Sequence, residues 1–426
     1  MRVAIIGGGI AGLGCAWLLT RQGRQVTLFE ANDYLGGHTH TVDVTLDGVT
    51  APVDTGFLVY NDRTYPKLIA LFEELGVASA PSAMTFSVRD DAAGVEWAGS
   101  DLLSLFAQPS NALRPAFWRM LRDIARFNRE TTALVREERV GATTLRAFLD
   151  AGGYSVPFRD WYLLPMTESI WSAPRCAILD FPLPLFLGFC HRHGLLQIAD
   201  RPQWRTVRGG GRVYVERIAQ CLADVRLAAP VHGVRRRGDH VEIDSAAAPA
   251  ERFDQVVLAC HSDQALALLA DASHEETALL GSVRFQPNRV VLHTDTRLMP
   301  RRRRAWSAWN YLAARGGRDG APVGVTYWIN ALQSLPFRTP VLETLNPPFE
   351  PRGETLLAEF QYAHPLVKGA AVSAQRRLAH LQGARRTWYA GAWLGHGFHE
   401  DGLASAHVVA EGIAARETLA VAELAA

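Results

Sequence analysis

The chain has 426 residues, 48% of them hydrophobic, and its 44 basic and 43 acidic side chains leave a formal net charge of +1. A chain of this length can bury a substantial core, and two domains are the expected organisation. So balanced a charge excludes a general attraction to polyanions, and we expect no nucleic-acid partner.

The amino terminus and the cysteines bear on the compartment. The sequence runs from Met1 directly into an apolar strand, with no basic leader and no apolar run of about twenty residues. We therefore expect a cytoplasmic protein. The five cysteines lie far apart and lack the spacing of zinc ligands, so we expect reduced thiols and no metal.

A glycine-rich turn opens the chain. Apolar residues 2–6 predict a strand, and the pattern of residues 13–20 predicts a helix after the turn. Within the turn Gly7 permits a sharp bend, Gly9 lets the backbone approach a pyrophosphate, and Gly12 allows close packing of helix on strand, with Ala11 beside them. The N–H groups and the dipole at the helix start would receive the negative charge.

An acidic residue follows at the expected distance. Residues 25–29 predict a second strand, and Glu30 stands at its end, followed by Ala31. A carboxylate in this place accepts hydrogen bonds from ribose hydroxyls. Glycine triplets also occur in ordinary turns, but the strand context and the spaced acid favour a dinucleotide site.

Two later segments distinguish FAD from NAD. Gly36-Gly37-His38-Thr39 and Val53-Asp54-Thr55-Gly56-Phe57 resemble the flavin-containing amine oxidase and phytoene desaturase superfamily, in which these stretches pass along the pyrophosphate and the isoalloxazine. The resemblance implies FAD as the cofactor. It implies these contact residues: Gly37, His38, Thr55, Gly56 and Phe57. The superfamily usually has arginine after the paired glycines, where this chain has His38.

The resemblance returns twice further along. A glycine run at 209–211 precedes a helix-like stretch, then residues 225–234 and 241–243 predict a hairpin and residues 255–260 a returning strand. By the resemblance, Val231 meets the adenine. Near the end of the chain, a strand is followed by a glycine turn and then by a helix. The resemblance implies that residues of this segment contact the flavin: Gly391, Ala392, Asp401, Gly402 and Leu403. The helix over 404–415 would stabilise charge at the pyrimidine edge of the flavin.

These elements predict an α/β fold in which a Rossmann-like FAD-binding domain is interleaved with an α+β substrate domain. We assign residues 1–75, 205–285 and 370–426 to the first domain, and residues 76–204 and 286–369 to the second. Within the second domain, residues 76–204 have helical periodicity. Residues 290–345 are rich in β-branched and aromatic side chains and predict a sheet.

Within the superfamily the chain is most similar to FAD-dependent oxidoreductases found with cyclopropane-fatty-acid-synthase-like methyltransferases, including the methylated acyl desaturase of furan fatty acid biosynthesis. The similarity is carried by residues 164–172, 193–196, 292–295, 306–311, 346–347 and 397–403. It implies that the substrate is an acyl chain of a phospholipid, and that a lipid methyltransferase is a partner.

Other functions remain open. Many amine oxidases of the superfamily place a lysine near flavin N5, but residues 281–300 contain none, and Arg289 is the nearest basic residue. Arginine does not readily shuttle a proton, which disfavours an amine oxidase. An amine or protoporphyrinogen-type oxidase and a non-catalytic flavoprotein that partners the methyltransferase are the alternatives.

Apolar segments suggest contact with a lipid surface. Residues 102–106, 117–118 and 181–189 are apolar or aromatic, and Arg301 to Arg304 lie beside Trp306. Arginines flanking such segments suit the headgroup layer, so we expect peripheral association with the inner face of the membrane. The alternative is that the apolar stretches form core and that the arginines form a solvated loop.

The candidate base is Glu168, a carboxylate within an otherwise apolar segment, where burial would raise its pKa. The alternative is an ion pair with Arg159 or Arg175. Four further residues are candidates for shaping the substrate pocket, although aromatic residues more often serve packing. These residues are Trp309, Tyr311, Tyr327 and His399.

Overall fold

A computed structural model describes residues 1–197, 201–246, 248–313, 324–366 and 369–425. The strands are β1 Arg2–Ile6, β2 Gln25–Phe29, β3 Thr41–Leu46, β4 Val49–Asp54, β5 Tyr60–Asn61, β6 Ser79–Pro81, β7 Phe86–Asp90, β8 Val95–Ala98, β9 Trp204–Val207, β10 Asp224–Arg226, β11 Val231–Arg236, β12 Val241–Ser245, β13 Glu251–Phe253, β14 Gln255–Leu258, β15 Arg284–His293, β16 Trp309–Ala313, β17 Val325–Trp328, β18 Leu342–Leu345, β19 Leu356–Leu366 and β20 Thr387–Tyr389.

The α-helices alternate with these strands in the first part of the chain and gather between β8 and β9. They are α1 Ile10–Arg21, α2 Pro66–Leu75, α3 Leu102–Leu105, α4 Pro115–Arg136, α5 Leu145–Ala151, α6 Val156–Phe158, α7 Leu164–Trp171, α8 Arg175–Leu179, α9 Leu183–Arg192, α10 Arg212–Ala219, α11 Ser262–Leu268, α12 His274–Leu280, α13 Ile329–Leu332, α14 Gly369–Leu378 and α15 His399–Ala425.

A parallel sheet with strand order β10-β2-β1-β14-β20 forms the first layer. Its strands are nearly continuous apolar runs, which is typical of a parallel sheet covered on both faces. Helices α1 and α15 pack together on one face, and α11, α12 and α14 contribute to the core on the other. The predicted α/β fold is confirmed.

One predicted element is wrong. Residues 225–234 do not form a single hairpin arm, because β10 joins the parallel sheet and only β11 pairs with β12. Ala228 has a φ of 48° between them, and the N–H groups of Ala228 and Ala229 donate to the carbonyl oxygens of Asn32 and Glu30. This turn separates the two strands.

A second, largely antiparallel sheet has the order β19-β15-β18-β17-β16-β7-β8. Its strands come from residues 86–98 and 284–366. The β3–β4 hairpin, which we assigned to the first domain, buries Val44, Ala51 and Val53 in the core of this second sheet. The hairpin therefore joins the two parts of the molecule.

Helices α4 to α9 form a separate cluster beside the second sheet. Phe181, Leu183, Phe186, Leu187 and Phe189 are at most 4% exposed within its core. Phe117 is also fully buried. The prediction that segments 117–118 and 181–189 contact lipid is therefore wrong for these side chains, because they pack against neighbouring helices or the sheet.

The arginine run also has protein partners. Arg301 pairs with Asp91 (3.0 Å), Arg302 pairs with Glu96 (3.1 Å), and Arg303 lies over the ring of Trp306 at 3.6 Å from its centroid. Only Arg304 of the four has no such partner among the described residues. No helix in the described part of the chain has the length and apolar content needed to span a bilayer.

Candidate active site

The turn between β1 and α1 leaves open space above its backbone. A Cβ on Gly12 would lie 1.8 Å from the carbonyl oxygen of Gly7, so the turn closes only with glycine there, whereas a Cβ on Gly9 would meet nothing within 4 Å. Helix α1, which includes Ala11 in its first turn, has no side-chain cap and no acidic residue there. Its first N–H groups are thus available to an anion.

Glu30 lies beside this turn and is buried. Its carboxylate accepts hydrogen bonds from the Gly8 N–H (2.6 Å) and from the backbone and side chain of Asn32 (2.9 Å each). A carboxylate offers about four acceptor positions, so capacity remains for a ligand hydroxyl. The next residue, Ala31, is exposed. The bonds from Ala228 and Ala229 to this loop bring the start of β11, and hence Val231, to the same place.

The paired glycines lie against the turn. The Gly36 N–H donates to the Gly8 carbonyl oxygen (2.8 Å), and Gly37 packs over Gly9. Further on, the Phe57 N–H donates to the His38 carbonyl oxygen (2.9 Å), with Gly56 in close contact with the same group. The structure therefore brings together the two segments that the resemblance implies to pass along the pyrophosphate and the isoalloxazine.

His38 presents a free nitrogen in this region. Its Nε2 is buried without a hydrogen-bond partner, and the rings of His364 and His261 lie 5.4 and 6.3 Å from its own, centroid to centroid. Burial, together with these histidines, lowers the pKa of His38 to about 3. The imidazole is neutral at pH 7, so the charge of a phosphate would be balanced by backbone N–H groups.

Helix α15 begins next to α1. A Cβ on Gly402 would lie 2.9 Å from Cγ2 of Ile10, and Leu403 is buried in the core that the two helices share. Asp401 accepts a hydrogen bond from the Phe398 N–H (2.9 Å), and the Gly391 N–H, just before Ala392, donates to the Ser405 hydroxyl (2.9 Å). The two helix starts therefore face one region.

His399, which we predicted to help shape the substrate pocket, lies beside the paired-glycine segment. Its Nε2 is 2.8 Å from Oγ1 of Thr39 and 3.0 Å from the hydroxyl of Tyr214, and its ring stacks on Phe57 at 3.7 Å. Burial lowers its pKa to about 3. His399 thus belongs with the glycine-turn residues, because α15 starts there, and not with the aromatic residues of the second sheet.

The other three predicted pocket residues share one face of that sheet. Trp309 is opposite Tyr327, and Tyr311 is two residues further along β16. On the other side of β17, Tyr327 is directly opposite Glu343 of β18. Side chains two residues apart, or directly opposite each other, point to the same face. This face packs against the β3–β4 hairpin.

Glu168 is buried at one side of this face. The Tyr311 hydroxyl donates to its Oε2 (2.7 Å), and Arg175 Nε is 3.6 Å from its Oε1. Burial raises the pKa of Glu168, while Tyr311 and Arg175 oppose that shift. The ion pair that we weighed as the alternative is present with Arg175, whereas Arg159 pairs with Asp150.

Glu343 is a second buried carboxyl, which the sequence analysis did not single out. It is 3% exposed, and its Oε2 has no hydrogen-bond partner. Burial and the nearby Asp54 raise its pKa well above the ordinary value. The available signal was a lone carboxylate within the apolar strand 341–345, but that pattern alone does not tell which face of the strand meets the pocket.

The residues present fit a dinucleotide. An uncapped helix start, a buried carboxylate with spare acceptor capacity and an unpartnered His38 nitrogen surround one region. A family model described as flavin containing amine oxidoreductase matches residues 10–319, which is more than half of the chain.

The chain belongs to the flavin containing amine oxidoreductase family. The relatives of this oxidoreductase bind FAD, so the predicted cofactor is confirmed at the level of the family. Gly7, Gly9, Gly12, Glu30 and His38 remain our predicted contacts.

Among curated relatives, the flavin-containing monoamine oxidase AofH of Mycobacterium tuberculosis is 37% identical over 98 residues, covering 23% of this chain and 19% of AofH. The 1-hydroxycarotenoid 3,4-desaturase of a Flavobacterium species is 49% identical over 43 residues, covering 10% of this chain and 9% of the desaturase. The matched regions thus span well under two thirds of these relatives.

Solved structures share the fold over nearly the whole chain. The CLA-producing fatty acid isomerase from P. acnes superposes with a TM-score of 0.66 at 16% identity, covering 96% of this chain and 98% of the isomerase. Cyclohexylamine oxidase from Brevibacterium oxydans superposes with a TM-score of 0.66 at 18% identity, covering 97% and 99%. At such identities the similarity concerns the fold.

Many amine oxidases of the superfamily place a lysine near flavin N5, and Arg289 is the nearest basic residue in the sequence of this flavin oxidoreductase. Arg289 points outward from β15 and pairs with Glu350 (2.7 Å) and Glu359 (2.8 Å). The residue before it, Asn288, is buried and donates to the Gln286 carbonyl oxygen (3.1 Å). Arg289 is therefore not oriented toward the pocket.

Proposed function

We propose that this flavoprotein dehydrogenates methylated unsaturated fatty acyl chains of phospholipids. The observation that carries the proposal is the face of the second sheet that bears Trp309, Tyr327 and Leu292. This face is aromatic and apolar apart from Glu343, and it lies against the hairpin next to the glycine turn. Such a face suits a long hydrocarbon chain, whose burial is driven by the hydrophobic effect.

Two kinds of similarity support an acyl substrate. The resemblance of residues 164–172 and 397–403 to oxidoreductases found with lipid methyltransferases points to a methylated lipid, which such a partner would supply. The relatives include a carotenoid desaturase and, by fold, a fatty acid isomerase, whose names describe reactions at carbon–carbon bonds of long chains.

The reaction removes one hydride and one proton from the substrate, and each needs its own acceptor. When bound, FAD accepts a hydride from one carbon of the substrate. A methyl branch or an allylic position stabilises the positive charge that develops on that carbon. The neighbouring carbon loses a proton, the C–H electron pair becomes the new double bond, and a carboxylate of the protein takes up the proton.

We assign the base to Glu168. Its burial weakens the hydration of the carboxylate and strengthens it as a base, while the Tyr311 hydroxyl holds one of its oxygens in place. Arg175 balances its charge when it is ionised. Trp309 and Tyr327 would line the path of the chain.

Replacing Glu168 by glutamine tests the assignment. We expect the Glu168→Gln protein to remain yellow and FAD-loaded, because Glu168 contacts Tyr311 and Arg175 and not the residues of the glycine turn, but to lose desaturation by about 10²- to 10⁴-fold. Arg159→Gln is the matched control, since that arginine pairs with Asp150 and not with Glu168. Normal turnover by the Glu168 variant contradicts its role.

The substrate class is tested by anaerobic mixing. Purified protein is mixed with phospholipids that carry or lack a methyl branch, the flavin absorbance is followed, and the acyl chains are analysed by mass spectrometry. We expect bleaching and a mass loss of two hydrogens only with the methylated lipid. Unchanged absorbance with both lipids contradicts the proposal.

Oxidation of an amine is the second candidate, and Glu343 favours it. A buried carboxylate without a partner would pair with an ammonium group, and Asp54, the charged group that acts on it, is also acidic. Turnover of an amine with release of peroxide, without lipid and with a KM that rises in Glu343→Gln, would favour this function over lipid dehydrogenation.

A further inference from the structure

A surface formed by α3 and the start of α4 exposes large apolar side chains. Leu102, Leu103, Leu113 and Trp118 are 75%, 68%, 87% and 52% exposed, and all lie within one stretch of seventeen residues. We call these four residues the apolar patch. Phe106, which directly follows α3, lies 5.7 Å from Trp118, centroid to centroid, and so places the end of α3 beside the start of α4. A soluble surface rarely gathers so many large apolar side chains, which marks the patch as an interaction site.

Local structure holds these side chains outward. Asp101 caps α3 by accepting from the Ser104 N–H (2.7 Å), and Ser104 is the buried residue of that helix, so Leu102 and Leu103 face solvent. The Trp118 Nε1–H donates to the Ala112 carbonyl oxygen (2.8 Å), which fixes the indole beside Leu113. The patch is therefore a defined feature of the fold.

The patch continues inward through aromatic rings. Phe106 lies 5.7 Å from Trp118 and 5.8 Å from Phe117, centroid to centroid. Phe117 is fully buried in the same core as Tyr311 and Tyr327. The patch is therefore continuous with the hydrophobic core that contains the proposed substrate face.

Arginines surround the patch without matching acids. Arg114, Arg119, Arg122 and Arg129 have no carboxylate at ion-pair distance in the parts of the chain that the structure describes. Between Leu102 and Arg129 the sequence holds one acid, Asp123, which is buried and accepts from the Ser155 N–H (3.0 Å). Arg126 pairs with Glu130 (3.8 Å), and the acid at the edge, Asp101, is used as the cap of α3.

More positive charge lies next to α3. The short helical turn Arg303–Ala305 follows Arg302, which pairs with Glu96 on β8, the strand that leads into α3. Arg304 on that turn is exposed and has no carboxylate partner among the described residues. The surroundings of the patch are thus cationic on both sides.

We propose that the apolar patch docks on the headgroup layer of an anionic lipid bilayer. The four apolar side chains enter the boundary between headgroups and acyl chains, while the arginines pair with lipid phosphates. A second copy of this chain is a poor occupant, because two such surfaces would bring unpaired arginines together. The proposal concerns binding to lipid and does not require the proposed dehydrogenation.

Docking is tested by co-sedimentation of the FAD-loaded full-length protein with vesicles. The vesicles contain phosphatidylcholine alone or phosphatidylcholine with phosphatidylglycerol. We expect binding to the mixed vesicles that weakens as salt is raised, and little binding to the neutral vesicles. Equal binding to both vesicles, or to neither, overturns the proposal.

Two variants and one control locate the surface. The double variant Leu102→Asp with Leu103→Asp should weaken binding to mixed vesicles by at least about tenfold, because two leucines no longer enter the apolar layer. Arg119→Glu with Arg122→Glu should weaken it by a similar factor. Leu227→Asp, at an exposed leucine of the parallel-sheet domain, is the control and should bind as the unchanged protein does.

Each variant is checked for flavin absorbance and thermal unfolding, since all substituted side chains are exposed and the fold should persist. If both double variants still sediment with mixed vesicles, the docking surface is wrong. Vesicle binding that depends on the patch, without bleaching by methylated lipid, would preserve docking and contradict the proposed reaction. The two failures are therefore distinguishable.

Discussion

Two buried carboxyl groups, Glu168 on α7 and Glu343 on β18, differ in how their oxygens are satisfied. Both oxygens of Glu168 have a neighbour, Tyr311 on one side and Arg175 on the other. Glu343 has no partner for Oε2, and the charged group that acts on it is Asp54, another acid. An unpaired buried carboxylate is costly, so Glu343 is protonated in the folded protein over a wider pH range than Glu168.

This difference predicts a pH dependence of stability. The pKa of Glu343 is raised in the folded state, so its contribution to stability is fully present below the unfolded pKa and is lost as pH rises toward the folded value. Glutamine does not titrate. Each pKa unit of the shift amounts to about 1.4 kcal/mol, and Glu343→Gln should therefore gain stability relative to the unchanged protein as pH rises from about 4 to 8.

The measurement is chemical denaturation of both proteins across that pH range. Glu242→Gln is a suitable control, because Glu242 lies on the β11–β12 hairpin away from the second sheet and its pKa is lowered by Arg237. A difference between Glu343→Gln and the unchanged protein that stays constant with pH would show that Glu343 does not titrate as stated.

At the scale of secondary-structure elements, a buried network around Arg236 joins β11, α12 and β20 of the first domain. The guanidinium of Arg236 on β11 is fully buried and pairs with Glu276 on α12 and with Asp271 (2.8 Å). The hydroxyl of Tyr389 on β20 also donates to Glu276 (2.7 Å). Burial alone would raise the pKa of Glu276, but the bonds from Arg236, Ser273 and Tyr389 hold it at about 2.

Removing the arginine leaves the carboxylate of Glu276 buried without a positive charge beside it, although Tyr389 and Ser273 still donate to it. We expect Arg236→Met to lower the free energy of unfolding by about 3–5 kcal/mol, measured by urea denaturation. The adjacent Arg235 pairs with Asp244 at the surface, and Arg235→Met should cost less than about 1 kcal/mol. Equal effects of the two substitutions would mean that the buried pair does not hold these elements together.

At the scale of the whole molecule, a few polar contacts connect the second sheet to the end of the β3–β4 hairpin, beside the paired-glycine segment. The Gln333 side chain donates to Asp54 Oδ2 (2.7 Å) and accepts from the Asp54 N–H (3.0 Å). The Tyr362 hydroxyl on β19 lies 2.8 Å from Oγ1 of Thr55. FAD held at the turn would therefore stabilise the junction of both domains as well as the parallel sheet.

Removal and return of FAD test this coupling. Free FAD at about 100 times its Kd should raise the free energy of unfolding of the apoprotein by about 2.7 kcal/mol. The thermal transition should shift as one step, because the contacts at Thr55 and Asp54 link both parts. NAD is the control ligand, and an equal shift with NAD would contradict the assignment of the site to FAD.

The sequence by itself predicted the strand, glycine turn, helix and strand that carry the candidate dinucleotide contacts. Gly7, Gly9, Gly12 and Glu30 lie within one strand–helix–strand unit, and the paired glycines follow shortly after. Such contacts are made by backbone and by one carboxylate in consecutive elements, so their spacing along the chain fixes their positions in space. The same local reasoning predicted α1 and β14. It also predicted a helix over 404–415, which in the structure begins five residues earlier, at His399.

Only the tertiary structure decided the rest. Alternation along a strand shows that Trp309 and Tyr311 share a face, but only the strand order shows that Glu343 joins them. The packing of α15 places His399 against Phe57 and Tyr214. Apolar segments likewise do not reveal whether they are covered: Phe186 is core, whereas Leu102 is exposed. The physical reason is that burial depends on which distant elements pack together, and local propensity carries no information about that choice.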